Sequence, residues 1–139
     1  MMSFGSYVAG ATEISVVGDS KIKVHRIVAA TDPGYAVNPA QIERQIAGSF
    51  VYGLTGLFYG GCTVKDGAIE QTNFDTYQML RLNEAPVIEV HIVQSAEPPG
   101  GMGETGTSGI VPAISNAIFA ATGKRLRKMP IDPALLKQT

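Results

Sequence analysis

The sequence predicts an α+β fold: a mostly antiparallel or mixed sheet with two main helices packed on it, in a single domain spanning 1–139. Three observations carry this. Two segments near the start, either side of a turn signal, alternate polar and apolar residues with the period of two that a half-buried strand needs. Asn38-Pro39 opens a long apolar stripe at helical spacing. A second, shorter stripe follows residues 100–109, of which five are glycine.

Taken in order, residues 7–17 alternate loosely and end at Gly18-Asp19-Ser20, so a hairpin with 21–28 is expected. In 21–28, Ile22, Val24 and then Ile27 or Val28 face the core. Asn38 is a good N-cap, Pro39 suits the first helical position, and Gln41 stands three residues on, as in a capping box. Ile42, Ile46, Phe50, Leu54, Leu57 and Phe58 form the apolar stripe, and Gly60-Gly61 ends the helix. Gly48, Gly53 and Gly56 inside it each cost up to ~1 kcal/mol relative to alanine. They predict close backbone packing at all three positions and a deeply buried helix. Asp66-Gly67 joins 62–65 to 68–71 as a short hairpin. Residues 87–93 read as a strand, with Ile88, Val90 and Ile92 on one face and Val87, Glu89, His91 and Val93 on the other. Ile110, Ile114, Ala117, Ile118 and Ala121 mark the second helix, with Pro112 in its first turn and Thr122-Gly123 at its close. The basic run 124–128 reads as extended, and as a solvated or inter-subunit segment.

Composition excludes several classes of function. Eleven Lys and Arg against twelve Asp and Glu give a net charge of −1, which offers no electrostatic drive toward nucleic acid or an anionic membrane. Cys62 is the only cysteine, so an internal disulfide and a thiolate-rich metal site are excluded. With His25 and His91 as the only histidines, no protein-ligated metal is expected. No apolar run approaches a membrane span. The start has neither the basic nor the apolar region of a secretory leader, and the compartment stays open.

Gly101-Met102-Gly103-Glu104-Thr105-Gly106 matches the dinucleotide fingerprint G-x-G-x-x-G. Seven residues separate it from the preceding strand, a carboxylate inside the loop would repel a pyrophosphate, and no strand with a terminal acid follows. A small nucleotide-binding domain is therefore the least favoured reading. Glu104 is the only charged residue between Glu97 and Lys124. A carboxylate with little side-chain cover, at the start of a helix, suits a general base, and equally suits a solvated acid in a loop. His25 and His91 read as sheet histidines, Cys62 as a small buried hydrophobe, and Tyr35, Tyr52, Tyr59 and Tyr77 as packing residues.

Several stretches in one order resemble a single family. They are Ala30-Thr31-Asp32-Pro33-Gly34-Tyr35-Ala36-Val37-Asn38-Pro39, then Gln71-Thr72-Asn73-Phe74-Asp75-Thr76-Tyr77 with Arg81-Leu82-Asn83-Glu84-Ala85-Pro86, then Gly100-Gly101-Met102-Gly103-Glu104, and 112–127. The chain resembles the molybdenum hydroxylases, the xanthine dehydrogenase and aldehyde oxidoreductase family, and most of all the large subunit of the isoquinoline 1-oxidoreductase type.

That resemblance implies the C-terminal part of a longer molybdopterin-binding subunit. It implies a molybdopterin cofactor, in its cytosine dinucleotide form, which holds molybdenum through its own dithiolene. It implies an iron–sulfur partner subunit and an aldehyde or N-heteroaromatic substrate. Glu104 falls on the family's glutamate, the general base toward a molybdenum-bound hydroxyl. Gln45 falls on the glutamine that contacts the pterin, while Gly101, Gly103, Thr105 and Gly106 would lie along the cofactor. After Glu104, where many relatives are proline-rich, this chain has Thr105-Gly106-Thr107-Ser108-Gly109. The isolated chain is expected to bind no cofactor and to be inactive. It is also expected to self-associate over surfaces that the remainder of the subunit would cover. A stand-alone or truncated non-catalytic module is the alternative. The full enzyme would be cytoplasmic or periplasmic.

Overall fold

The computed structural model describes residues 1–18 and 21–137. Chain order is β1 (Met2–Ser3), β2 (Ser6–Val17), β3 (Lys21–Asp32), α1 (Pro39–Phe58), β4 (Val64–Lys65), β5 (Ala68–Ile69), β6 (Val87–Ile92) and α2 (Thr105–Thr122). Short 3₁₀ turns lie at Leu82–Glu84 and Pro133–Leu136. The sheet order is β1-β2-β3-β6, and β4 and β5 form a separate ribbon. β1, β2 and β3 are antiparallel, whereas β6 runs parallel to β3. A parallel pair needs a long crossover, and α1 lies within it. The sheet is mixed and carries both helices, as expected. The turn residues Asp19 and Ser20 lie outside the described residues.

Both helices cover one face of the sheet. Val8, Ile27 and Ala29 are buried there against Ile46, Phe50, Leu54, Leu57, Ile110, Ile114 and Ile118. A register shift between Glu13 and Ile14 resolves the ambiguity in β3. A bulge reverses which residues face inward. Val24 and Ile27, an odd step apart, are therefore both buried, and Val28 lies on the opposite face. β3 also runs four residues beyond the expected end, because Ala29, Ala30 and Thr31 pair with β2 on one side and β6 on the other. In β6, Ile88, Val90 and Ile92 share the helix face, as the alternation predicts.

α1 follows its sequence signals. The Asn38 side chain accepts from the Gln41 N–H, and the apolar stripe is buried. Its glycines require correction. Only Gly53 is tightly packed, where a Cβ would lie 2.6 Å from the Thr107 carbonyl oxygen and collide with Ile110. Gly48 and Gly56 face open space. The helix is buried on one side only.

α2 differs more. It begins at Thr105, so Pro112 stands well inside it rather than in its first turn. Thr105, Gly106, Thr107, Ser108 and Gly109 are poor helix formers. Contact with α1 overrides propensity: Gly106 packs against Ser49 and Phe50, and the buried Thr105 hydroxyl donates to the Gly101 carbonyl at 3.0 Å. Ala121 is exposed.

Smaller expectations divide. His25 bonds Ser15 Oγ at 2.7 Å, while His91 is exposed. Cys62 is exposed and outside any strand, because the β4–β5 ribbon has no layer beneath it. Tyr35 and Tyr52 are exposed rather than packed. The 124–128 run forms neither helix nor strand: the Arg125 guanidinium stacks 3.8 Å over the Phe119 ring, and the Lys124 ammonium donates to the Lys137 carbonyl. Among the described residues, no helix is long and apolar enough to cross a membrane.

Candidate functional site

The glycine-rich connection between β6 and α2 is held from several sides. Tyr35 N–H donates to the Glu97 carbonyl, Gly100 N–H to that of Pro33, and Gly101 N–H to that of Phe4, each at 2.8 Å. Gly34 takes a positive φ of 73°, and its N–H is capped by Asp32 Oδ1 at 3.0 Å. A Cβ there would collide with the Pro98 carbonyl, so only glycine lets the two segments meet. From α1, the Gln45 side-chain amide donates from Nε2 to the Gly103 carbonyl at 2.8 Å. Gly101 lies nine residues beyond the end of β6, which is not the immediate strand-to-helix turn of a dinucleotide fold.

This scaffold delivers Glu104 to the N-cap of α2. Its side chain makes no capping bond, is exposed, and has no hydrogen-bond or ion-pair partner among the described residues. The partial positive charge at the start of α2 lies beside it. Glu104 lines a cleft of about 760 Å³ between α1 and the first turns of α2. α1 contributes Arg44, Gln45, Gly48, Tyr52 and Gly56; α2 and its approach contribute Gly103, Glu104, Thr107, Ser108 and Val111; Met129 closes one side. Gly48 and Gly56 keep the floor low, and a Cβ at either would meet none of the described residues within 4 Å.

Of the residues expected at the site, Gln45, Gly103 and Glu104 come together in this cleft. Gly101, Thr105 and Gly106 do not line it. A Cβ on Gly101 would stand 2.9 Å from that of Phe4, and one on Gly106 would collide with Ser49. Those two glycines answer to packing within the chain. Gly103 alone of the three leaves its space open. The sequence reading missed Arg44, Thr107, Ser108 and Met129 as lining residues, and gave Tyr52 a packing role. A signal was present: positions 44, 48, 52 and 56 form one i, i+4 row, away from the apolar stripe.

A second cleft, of about 480 Å³, lies near the end of α1. There Tyr59 Oη donates to Glu84 Oε1 at 2.5 Å, and Glu84 Oε2 accepts from the Arg81 N–H at 2.8 Å. Burial, then the bond to Glu84, pushes Tyr59 up to about 12. The Tyr59 bond, then the Arg81 N–H, holds Glu84 below the usual carboxylate range. This pair ties α1 to the 3₁₀ turn. On the open face of the sheet, Arg26 and Glu89 form a bidentate ion pair at 2.7 and 2.6 Å. Among the described residues, no three His, Cys, Asp or Glu side chains gather as a metal site.

Comparison with known proteins adds three findings. The model of the molybdopterin cofactor-binding domain family matches residues 2–86. The isoquinoline 1-oxidoreductase subunit beta of Brevundimonas diminuta is 33% identical over 117 residues, covering 84% of this chain and 15% of that protein. A membrane-bound aldehyde dehydrogenase of Gluconacetobacter polyoxogenes, named for pyrroloquinoline quinone, is 34% identical over 113 residues, again 15% of its length. In fold, the aldehyde oxidoreductase of Desulfovibrio desulfuricans superposes with a TM-score of 0.79 at 24% identity, over 94% of this chain and 15% of that one. The chain thus spans about 15% of the length of each relative.

Proposed function

The chain belongs to the molybdopterin cofactor-binding domain family, and from that premise we propose that it is the catalytic segment of a molybdenum-dependent hydroxylase. Its substrates are aldehydes or N-heteroaromatic compounds. One observation carries this reading: Gln45, Gly103 and Glu104 converge at a cleft floored by glycines that none of the described residues fills.

The donor set suits a pterin. Such a ring is flat and edged with N–H donors and nitrogen and carbonyl acceptors. Gly48, Gly56 and Gly103 leave room for it, and Gln45, Arg44, Tyr52, Thr107 and Ser108 offer acceptors and donors around the cleft. The dinucleotide form would be the cytosine one. The bound cofactor supplies the two-electron redox centre. This chain supplies Glu104, whose carboxylate, without another partner among the described residues, takes the proton from the attacking oxygen nucleophile. Gln45 orients the ring edge. The loop ties through Gly34, Gly100 and Gly101 hold the approach to Glu104 in place. The partners are the remainder of the large subunit and an iron–sulfur subunit. Alone, the chain binds no molybdenum and self-associates.

Glu104→Gln in the assembled enzyme should leave molybdenum and pterin content unchanged and cut turnover by roughly 10²–10⁴-fold, the range for losing a general base. Near-normal turnover would remove Glu104 from the mechanism. A stand-alone, non-catalytic module is the second reading, favoured by the surface the chain leaves open.

A further inference from the structure

We infer that Gln45 is the positioning residue for Glu104: its side-chain amide acts as a strut that fixes the Gly103–Glu104 peptide against α1. This rests on Glu104 being the working carboxylate of the cleft.

The bond from Gln45 Nε2 to the Gly103 carbonyl joins residues 58 apart in sequence and lands immediately before Glu104. Its polarity is unambiguous, because a carbonyl can only accept, so the amide must present its NH₂ there and turn Oε1 away. The other ties of the loop stop short of this point. Those at Pro33, Phe4 and Glu97 hold residues 97–101. Beyond Gly103, the Glu104 carbonyl accepts from the Thr107 N–H at 3.0 Å, and Thr105 is anchored by its buried hydroxyl. A Cβ at Gly103 would meet nothing within 4 Å, so packing does not hold this residue. The exposed Gly103–Glu104 peptide therefore bridges two anchored ends, with the Gln45 bond as the side-chain tie on it. Glycine has the widest backbone freedom of any residue, so the tie falls where the chain would otherwise move most.

The same geometry sets the ligand's polarity. With one of its two N–H groups committed to the Gly103 carbonyl, the amide offers a bound ring Oε1 as acceptor and one remaining N–H, and an atom that meets Oε1 must be an N–H or O–H donor.

The test is nitrogen-15 relaxation on the 139-residue chain, comparing Gln45→Met with Gln41→Met, one turn earlier and also exposed. Methionine keeps the length and the helix propensity and removes the donor. In Gln45→Met the order parameters of Gly103 and Glu104 should fall from about 0.85 to below about 0.6, with the rest of α1 and α2 unchanged. In Gln41→Met they should not move. Rigid amides at 103 and 104 in Gln45→Met would overturn the strut. In the assembled enzyme, Gln45→Met should lower kcat with little change in KM. A loosened loop with normal turnover would instead count against Glu104 as the working base, so the two failures are separable.

Discussion

Single residues set the sharpest constraints on this site, and the Tyr59–Glu84 pair shows how one hydrogen bond reads out in pH. Glu84 titrates below its unfolded value, so its contribution is present above about pH 4.5 and is lost as pH falls through the lowered folded value. Tyr59 titrates above its unfolded value of 10.0, so its contribution is present below pH 10 and is lost as pH rises through about 12. Tyr59→Phe should therefore cost about 0.5–1 kcal/mol near pH 7, below the range for a charged acceptor because the pair is largely wet. The difference between the urea midpoints of the two proteins should narrow as pH falls from 7 through the lowered Glu84 range. A difference that stays the same size at every acid pH where the protein is folded would mean that the charge of Glu84 contributes nothing. At this scale the sequence was readable where chemistry is local. Glu104 stood out as the one charge in a long neutral stretch, and Asn38 as a cap. It was opaque where a role depends on what lies opposite. Nothing in the order of residues distinguishes Gly103, which faces open space, from Gly106, which faces Ser49.

At the scale of elements, the site is the product of one helix crossing. α1 and α2 approach closely because Gly53 admits the Thr107 carbonyl and Ile110, and because Gly106 admits Ser49. That approach brings Gln45 on α1 within reach of Gly103 before α2. Gly53→Ala should thus push the helices apart. Overpacking of this kind costs about 1–3 kcal/mol, and alanine's better helix propensity returns at most ~1 kcal/mol. Net destabilisation is expected in thermal unfolding, together with loss of the Gln45–Gly103 bond. Gly48→Ala, with nothing near it, should by contrast be neutral or stabilising. Equal effects at the two positions would contradict the packing described. Periodicity revealed both helices and the helix-facing side of β6. At β3 it left Ile27 or Val28 open, and the bulge settles the choice on Ile27. It failed at the start of α2, where five poor helix formers are wound by contact with α1: a tertiary neighbour outweighed the local signal.

For the whole molecule the surface area is the telling quantity. A compact monomer of this mass exposes about 6,900 Å². This chain exposes 8791 Å². The difference is close to 1,900 Å², which is the share of one partner in a large obligate interface rather than a transient one. Its location is visible in the sheet. The face away from the helices presents Tyr7, Ala9, Ala11, Val28 and Ala30, with Val87 and Val93 beside them. β6 stands at the end of the strand order, with its outer edge unpaired among the described residues. Exposed apolar side chains around the Arg26–Glu89 pair, joined to an open strand edge, invite pairing. Purified alone, the chain should sediment as concentration-dependent oligomers. Val87→Lys combined with Val93→Lys should shift it toward monomer with little loss of thermal stability, since both side chains are exposed. Native mass spectrometry, with molybdenum measured on the same sample, separates the readings of the molecule. Multiples of 14.7 kDa without metal fit a segment whose partner surfaces pair with one another in its absence. A large complex with one molybdenum per chain fits a working subunit whose open face is covered by the remainder of the enzyme. A strict monomer at every concentration would mean that this face is stable in water, and would sink the argument from area.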